Sequence, residues 1–131
     1  MKAASDNLVP VTLELGGKSP VIVDENADLS DVAKKVMRGK TMNAGQICLA
    51  PDYLMLPKGK SEEFAKASNE AISEMFADLK YNEDYTSVIN ERHYERINEL
   101  VSDAKEKGAE VIQINPADED FEQQELSLIH I

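Results

Sequence analysis

The sequence predicts an α/β fold, a mostly parallel sheet with flanking helices. Three observations lead there. Short β-rich runs at Val9–Glu14, Val21–Val23, Tyr53–Leu56 and Val111–Ile114 alternate with stretches of helical period. The run Val21-Ile22-Val23 has no polar alternation, the pattern of a strand buried on both faces. The connecting stretches are also long enough for the crossover helices that parallel strands require. With 42% hydrophobic and 30% charged residues among 131, the composition supports a packed core.

The first run, Val9-Pro10-Val11-Thr12-Leu13-Glu14, tolerates its proline only near a strand start. Gly16-Gly17 breaks regular structure, and Pro20 denies a ladder donor just before the second run. A helix follows, with Asp28 as N-cap and Asp31 in a capping-box-like position. Leu29, Val32, Ala33, Val36 and Met37 form one apolar stripe, and Lys34, Lys35 and Arg38 fall outside it. The pattern decays at Asn43-Ala44-Gly45 into a loop carrying Gln46-Ile47-Cys48, and Pro51 stops any continuing helix. Pro57 and Gly59 close the third run. Ser61 then opens a second helix with Glu62 and Glu63 near its positive end. Its inward face is Phe64, Ser68, Ala71, Ile72, Met75 and Leu79. A third helix starts near Asn90, burying Tyr94, Ile97, Val101 and Ala104, with an Asp103–Lys107 pair and Gly108 as its C′ residue. The last run, Val111–Ile114, precedes Pro116.

Charge and cysteine content narrow the function classes. Fourteen basic against 25 acidic side chains give a net charge of −11. That sign argues against nucleic acid or an anionic membrane surface as general partners. The excess acid lies beyond residue 60; the near-neutral front suits an anionic cofactor or a buried reactive site, and the acidic part reads as solvated helix faces. No uninterrupted apolar run of about 18 residues marks a membrane span, and Met1–Asn7 lacks the apolar stretch of a secretory signal. One cysteine makes no intrachain disulfide and no thiolate zinc site by itself. A reduced, cytoplasmic setting is expected, with no metal.

Several motifs fail. Gly17-Lys18-Ser19 ends like a phosphate-binding loop, but its first glycine would fall on Thr12. No G-x-G-x-x-G occurs. His93 has Arg96 rather than a ligand three residues on, and with His130 as the only other histidine a Ser-His-Asp triad has little support. Two residues remain. Cys48 reads as a small buried hydrophobe or as a nucleophile on a polar, glycine-containing loop. Glu14 reads as a strand end facing water or as a carboxylate in an apolar setting, where burial raises its pKa toward general-base range. Gly16 and Gly17 after it let the backbone approach a flat ligand.

Glu14-Leu15-Gly16-Gly17-Lys18-Ser19-Pro20, followed by Gly45-Gln46-Ile47-Cys48 with the cysteine 34 residues after the glutamate, resembles the NAD(P)-dependent aldehyde dehydrogenase superfamily. The resemblance covers residues 1 to about 125, including Asn90-Glu91-Arg92. The stretch Asn43–Tyr53 looks most like the branch containing coniferyl aldehyde and fatty-aldehyde dehydrogenases.

The resemblance implies that Cys48 is the nucleophile and Glu14 the base that activates water. It further implies that Leu15 and Gly16 lie along the nicotinamide of NAD or NADP, and that an aldehyde is oxidised to a carboxylic acid through a thiohemiacetal and a thioester. The family's chain is several times longer, so residues 1–125 read as the N-terminal part of an incomplete catalytic domain, and 126–131 as an atypical tail. The fragment alone is expected to be inactive. Its parent is expected to be a homodimer or homotetramer, with a small-molecule aldehyde as its partner. A thiol-dependent acyl transferase or esterase and a non-catalytic module are the competing readings.

Overall fold

The computed structural model describes residues 1–121; the tail expected at 126–131 lies outside them. Six elements follow in order: α1 (Lys2–Asp6), β1 (Ser19–Ile22), α2 (Leu29–Thr41), β2 (Pro51–Met55), α3 (Ser61–Met75) and α4 (Glu91–Glu106), with a 3-10 turn at Met42–Gly45. The strands β1 and β2 pair in parallel, as expected, with Pro20, Val21 and Ile22 opposite Tyr53, Leu54 and Met55. The ladder is irregular between Ser19 and Pro20, where the proline has no N–H to donate.

The crossover between the strands is α2, and its start follows from the sequence. The Asp28 carboxylate accepts from the Ser30 N–H at 2.9 Å and the Asp31 N–H at 3.4 Å. Asp31 does not reach back to close a capping box; its carboxylate takes Lys35 one turn on, at 2.7 Å. Leu29, Ala33, Val36 and Met37 are buried against α3, which contributes Phe64, Ser68, Ala71 and Ile72. Met37 and Ile72 are wholly enclosed. Gly39 lets the last turn of α2 rest on β2, since a Cβ there would meet Pro51 Cδ at 3.2 Å.

Other expectations need correction. Residues 9–14 form no strand: no neighbouring strand takes up their ladder groups, and Val9, Val11 and Leu13 face water. The second run is not buried on both faces. Val21 turns toward the helices, whereas Ile22 is 77% exposed because, among the described residues, nothing covers the far side of the two-stranded sheet. Val111–Ile114 reduces to a single bridging residue, Gln113, although Ile114 is buried. Met75 lies outside the core, and Leu79 is buried beyond the helix end, because Phe76 turns extended and redirects the chain. There the Glu119 carboxylate accepts from the Leu79 and Lys80 N–H groups at 2.8 and 2.9 Å.

The ends of α4 are as anticipated. Asn90 accepts from the His93 N–H at 3.0 Å. Gly108, at φ +88°, closes the helix with bonds from Gly108 N to Lys105 O and from Ala109 N to Ala104 O. The Asp103–Lys107 pair closes at 2.7 Å. Its apolar stripe is another matter: Tyr94, Ile97, Val101 and Ala104 are only half-buried, since no other helix lies squarely across them. An open cavity of about 370 Å³ lies between α2, β2, α3 and residues 112–114. Ser68 lines it, and the Ser68 hydroxyl is buried without a hydrogen-bond partner among the described residues.

Candidate active site

The parallel pairing of β1 with β2 decides where the two motifs meet. Each pair in the regular part of the ladder is 33 residues apart in sequence. Ser19 follows Glu14 by five residues and Pro51 follows Cys48 by three, so both motifs lie just upstream of the paired strands. Two contacts tie the start of β1 to the cysteine turn and the start of β2. The Ser19 hydroxyl donates to the Cys48 carbonyl oxygen at 3.0 Å, and Lys18 Nζ pairs with Asp52 Oδ1 at 3.1 Å. The ion pair is largely exposed, so it contributes at most about 1 kcal/mol and serves mainly to set register.

Cys48 is a free, exposed thiol on the turn between the 3-10 segment and β2. It is not the buried hydrophobe that a lone cysteine most often is. The loop is anchored from its other side by Gln46. That side-chain amide donates to the Asn43 and Ser87 carbonyls at 3.0 and 3.1 Å and accepts from the Ile89 N–H at 2.9 Å. Asn43 and Ala44 stand at φ +52° and +53°, the left-handed region that residues with a side chain rarely occupy.

Glu14 departs from one of the two readings offered for it. Its carboxylate is exposed, and Oε1 accepts from its own Gly16 N–H at 3.0 Å. The apolar setting is absent because residues 9–14 are unpaired here. The structure ties Cys48 to Ser19, five residues after Glu14, and among the described residues shows no hydrogen bond between the Glu14 and Cys48 side chains. Five residues separate Glu14 from Ser19, a span of at most about 18 Å.

The fit to a flat cofactor can be tested at the glycines. Gly16 takes φ +84°, and no heavy atom lies within 4 Å of a Cβ built on Gly16 or Gly17. Leu15 is 87% exposed beside them. This open backbone face suits a planar ring held through main-chain contacts. Neither Cys48 nor Glu14 borders the 370 Å³ cavity, although Pro51 and Asp52, which follow the cysteine turn, do. Among the described residues, no group of three or more His, Cys, Asp and Glu side chains could hold a metal ion, and no helix is long and apolar enough to cross a membrane.

Sequence reasoning did not assign Ser19, Lys18, Asp52 or Gln46 a part in the site. One signal was available: Lys18 and Asp52 are separated by the same 34 residues as Glu14 and Cys48.

The fold is thus a parallel α/β segment with an exposed cysteine turn tied to the strand that follows a glutamate–glycine motif. The family model for the aldehyde dehydrogenase family matches residues 1–125, and the chain belongs to that family. It is 58% identical over 125 residues to a probable coniferyl aldehyde dehydrogenase of Caulobacter vibrioides, covering 95% of this chain and 26% of that protein. It is 54% identical over 121 residues to a coniferyl aldehyde dehydrogenase of a Pseudomonas species, covering 92% of this chain and 25% of that one. Among solved structures, the substrate-bound state of Staphylococcus aureus AldH superposes with a TM-score of 0.74 at 38% identity, covering 85% of this chain and 24% of that chain. The chain therefore spans about a quarter of the length of the curated relatives it matches.

Proposed function

We propose that this chain is the part of a longer aldehyde dehydrogenase that carries the nucleophile and the hydrolytic base, acting on an aromatic aldehyde of the coniferyl type. The observation that supports this reading is the parallel pairing of β1 with β2 together with the bond from the Ser19 hydroxyl to the Cys48 carbonyl, which ties the cysteine turn to the strand following the Glu14 motif. The names of the two coniferyl aldehyde dehydrogenases support the substrate class. Solved relatives are described as complexed with NADP and with NAD+, which supports a nicotinamide cofactor. Leu15 and Gly16 would hold its ring through their backbone, and the cofactor supplies the hydride acceptor.

The chemistry of the chain's own residues then follows. The Cys48 thiolate adds to the aldehyde carbon, forming a C–S bond and a thiohemiacetal. The backbone N–H of Cys48 would donate to the oxyanion, and the Ser19 bond to the Cys48 carbonyl holds the residue from β1. After the carbon loses its hydride, a thioester remains on Cys48. Glu14 takes a proton from water, the hydroxide oxygen bonds to the thioester carbon, and the C–S bond breaks. The carboxylic acid leaves and the thiolate returns.

The exposed thiol suits a reducing cytoplasm. The parent is read as a homodimer or homotetramer; one mouse relative is named a dimeric NADP-preferring aldehyde dehydrogenase. Residues 1–125 are read as the incomplete catalytic domain and 126–131 as a tail foreign to it. The isolated chain, about a quarter of such an enzyme, is expected to be inactive.

The test is NAD(P)H formation by the full-length enzyme with coniferyl aldehyde. Cys48→Ser is expected to abolish it; undiminished turnover in that variant overturns the reading. Ester hydrolysis without any aldehyde-dependent reduction of NAD(P)+ would instead favour a thiol esterase.

A further inference from the structure

The geometry points to Gln46 as the positioning residue for Cys48, an inference that rests on the reading of Cys48 as nucleophile. Its amide has two N–H donors and one oxygen, and all three groups are engaged. One donor ties the side chain to the Asn43 carbonyl within its own turn, at 3.0 Å. The other donor and the oxygen reach Ser87 O and Ile89 N–H, residues 41 and 43 positions away. Gln46 thus bolts the cysteine turn to the segment leading into α4. Because the Ser87 and Ile89 contacts demand opposite polarities, only a primary amide of this length makes both.

A second observation shows that the turn needs such a bolt. Asn43 and Ala44, immediately upstream, are both left-handed. Such residues cost roughly 1–3 kcal/mol each and persist where the surroundings over-determine them. The Asn43 carbonyl accepts from both the backbone N–H and the side-chain Nε2 of Gln46, and Asn43 Nδ2 donates to the Gln46 carbonyl at 3.4 Å. With Ser19 holding the Cys48 carbonyl from β1, the nucleophile is fixed from two independent parts of the fold. An unanchored turn would let the sulfur drift from the aldehyde carbon, and a misplacement of about 1 Å can cost on the order of a hundredfold in rate.

The experiment uses the full-length enzyme with three variants side by side. Gln46→Met keeps the length and removes every hydrogen bond. It is expected to lower kcat about ten- to hundredfold with KM within about twofold, while iodoacetamide still titrates Cys48 stoichiometrically. Gln46→Glu keeps an acceptor for Ile89 but sets a carboxylate against two carbonyl oxygens. Protonation restores one donor, so its kcat relative to wild type is expected to rise as pH falls, a readout that a merely structural role would not produce. Cys48→Ser is the third variant. Turnover by Cys48→Ser would sink the nucleophile reading. An inactive Cys48→Ser beside a Gln46→Met with unchanged kcat would sink only the positioning role. Should Gln46→Met fail to fold, a flat ratio against pH in Gln46→Glu overturns the inference by itself, as does loss of Cys48 titration together with activity.

Discussion

Replacing Ser68 with alanine should make the protein more stable, contrary to the usual direction of a core substitution. The Ser68 hydroxyl is fully buried between Phe64 and Ile72 on the inward face of α3 and finds no hydrogen-bond partner among the described residues. A buried polar group without a partner carries a desolvation penalty of roughly 1–3 kcal/mol. Alanine removes that penalty and has a helix propensity better by up to about 0.7 kcal/mol. Against this stands the loss of one oxygen's contacts beside a cavity that is already open, a fraction of a kcal/mol. The net expectation is a gain of about 1–2 kcal/mol. Urea unfolding followed by far-ultraviolet circular dichroism reads it as a higher midpoint at unchanged slope. Ile72→Ala, one turn on and wholly enclosed, serves as the reference and should lose about 2–5 kcal/mol. A loss of stability in Ser68→Ala would refute the reasoning, because it would mean that the hydroxyl has a partner, such as a water held in the cavity.

Two further expectations concern stability. Asp28→Ala removes the carboxylate that caps α2, the helix leading into the cysteine turn, and should cost about 1 kcal/mol in the same unfolding assay; no change would mean the cap is not formed. Tyr85 is buried edge-on to Phe76, with ring centroids 5.4 Å apart, and burial raises its pKa from 10.0 to about 12. The unfolded chain therefore loses this proton first, so stability should be fully present below pH 10 and decline as pH rises toward about 12. Comparing the phenolate absorbance of wild type with Tyr85→Phe isolates this titration; a midpoint near 10 would contradict the burial.

The helices α2, α3 and α4 were legible because their determinants are local, whereas the five-residue α1 was not anticipated. Asp28, the stripe from Leu29 to Met37, Asn90 and Gly108 each act within a turn or two, and each does in the structure what the pattern implied. Strands depend on partners that sequence pattern does not reveal. Val9–Glu14 and Val111–Ile114 have the residues of strands, yet among the described residues neither forms one, and only Gln113 makes a bridge. Ile22 reads as a two-faced core residue and stands uncovered for the same reason. The candidate site divides along the same line. Glu14 and Cys48 stood out by their motifs, whereas the contacts that align them, Ser19 to Cys48, Lys18 to Asp52 and Gln46 to Ser87 and Ile89, appear only once the chain is folded. The apolar setting, one of the two readings of Glu14, rested on a strand that does not form.

The central claim is that Cys48 bonds to the substrate carbon and Glu14 releases it through water. It is tested most directly by acid-quenching full-length Glu14→Gln enzyme during turnover of coniferyl aldehyde and mapping its peptides by mass spectrometry. The account predicts an acyl adduct accumulating on the peptide that contains Cys48. A Cys48 peptide that stays unmodified while the acid is produced at the wild-type rate would contradict it.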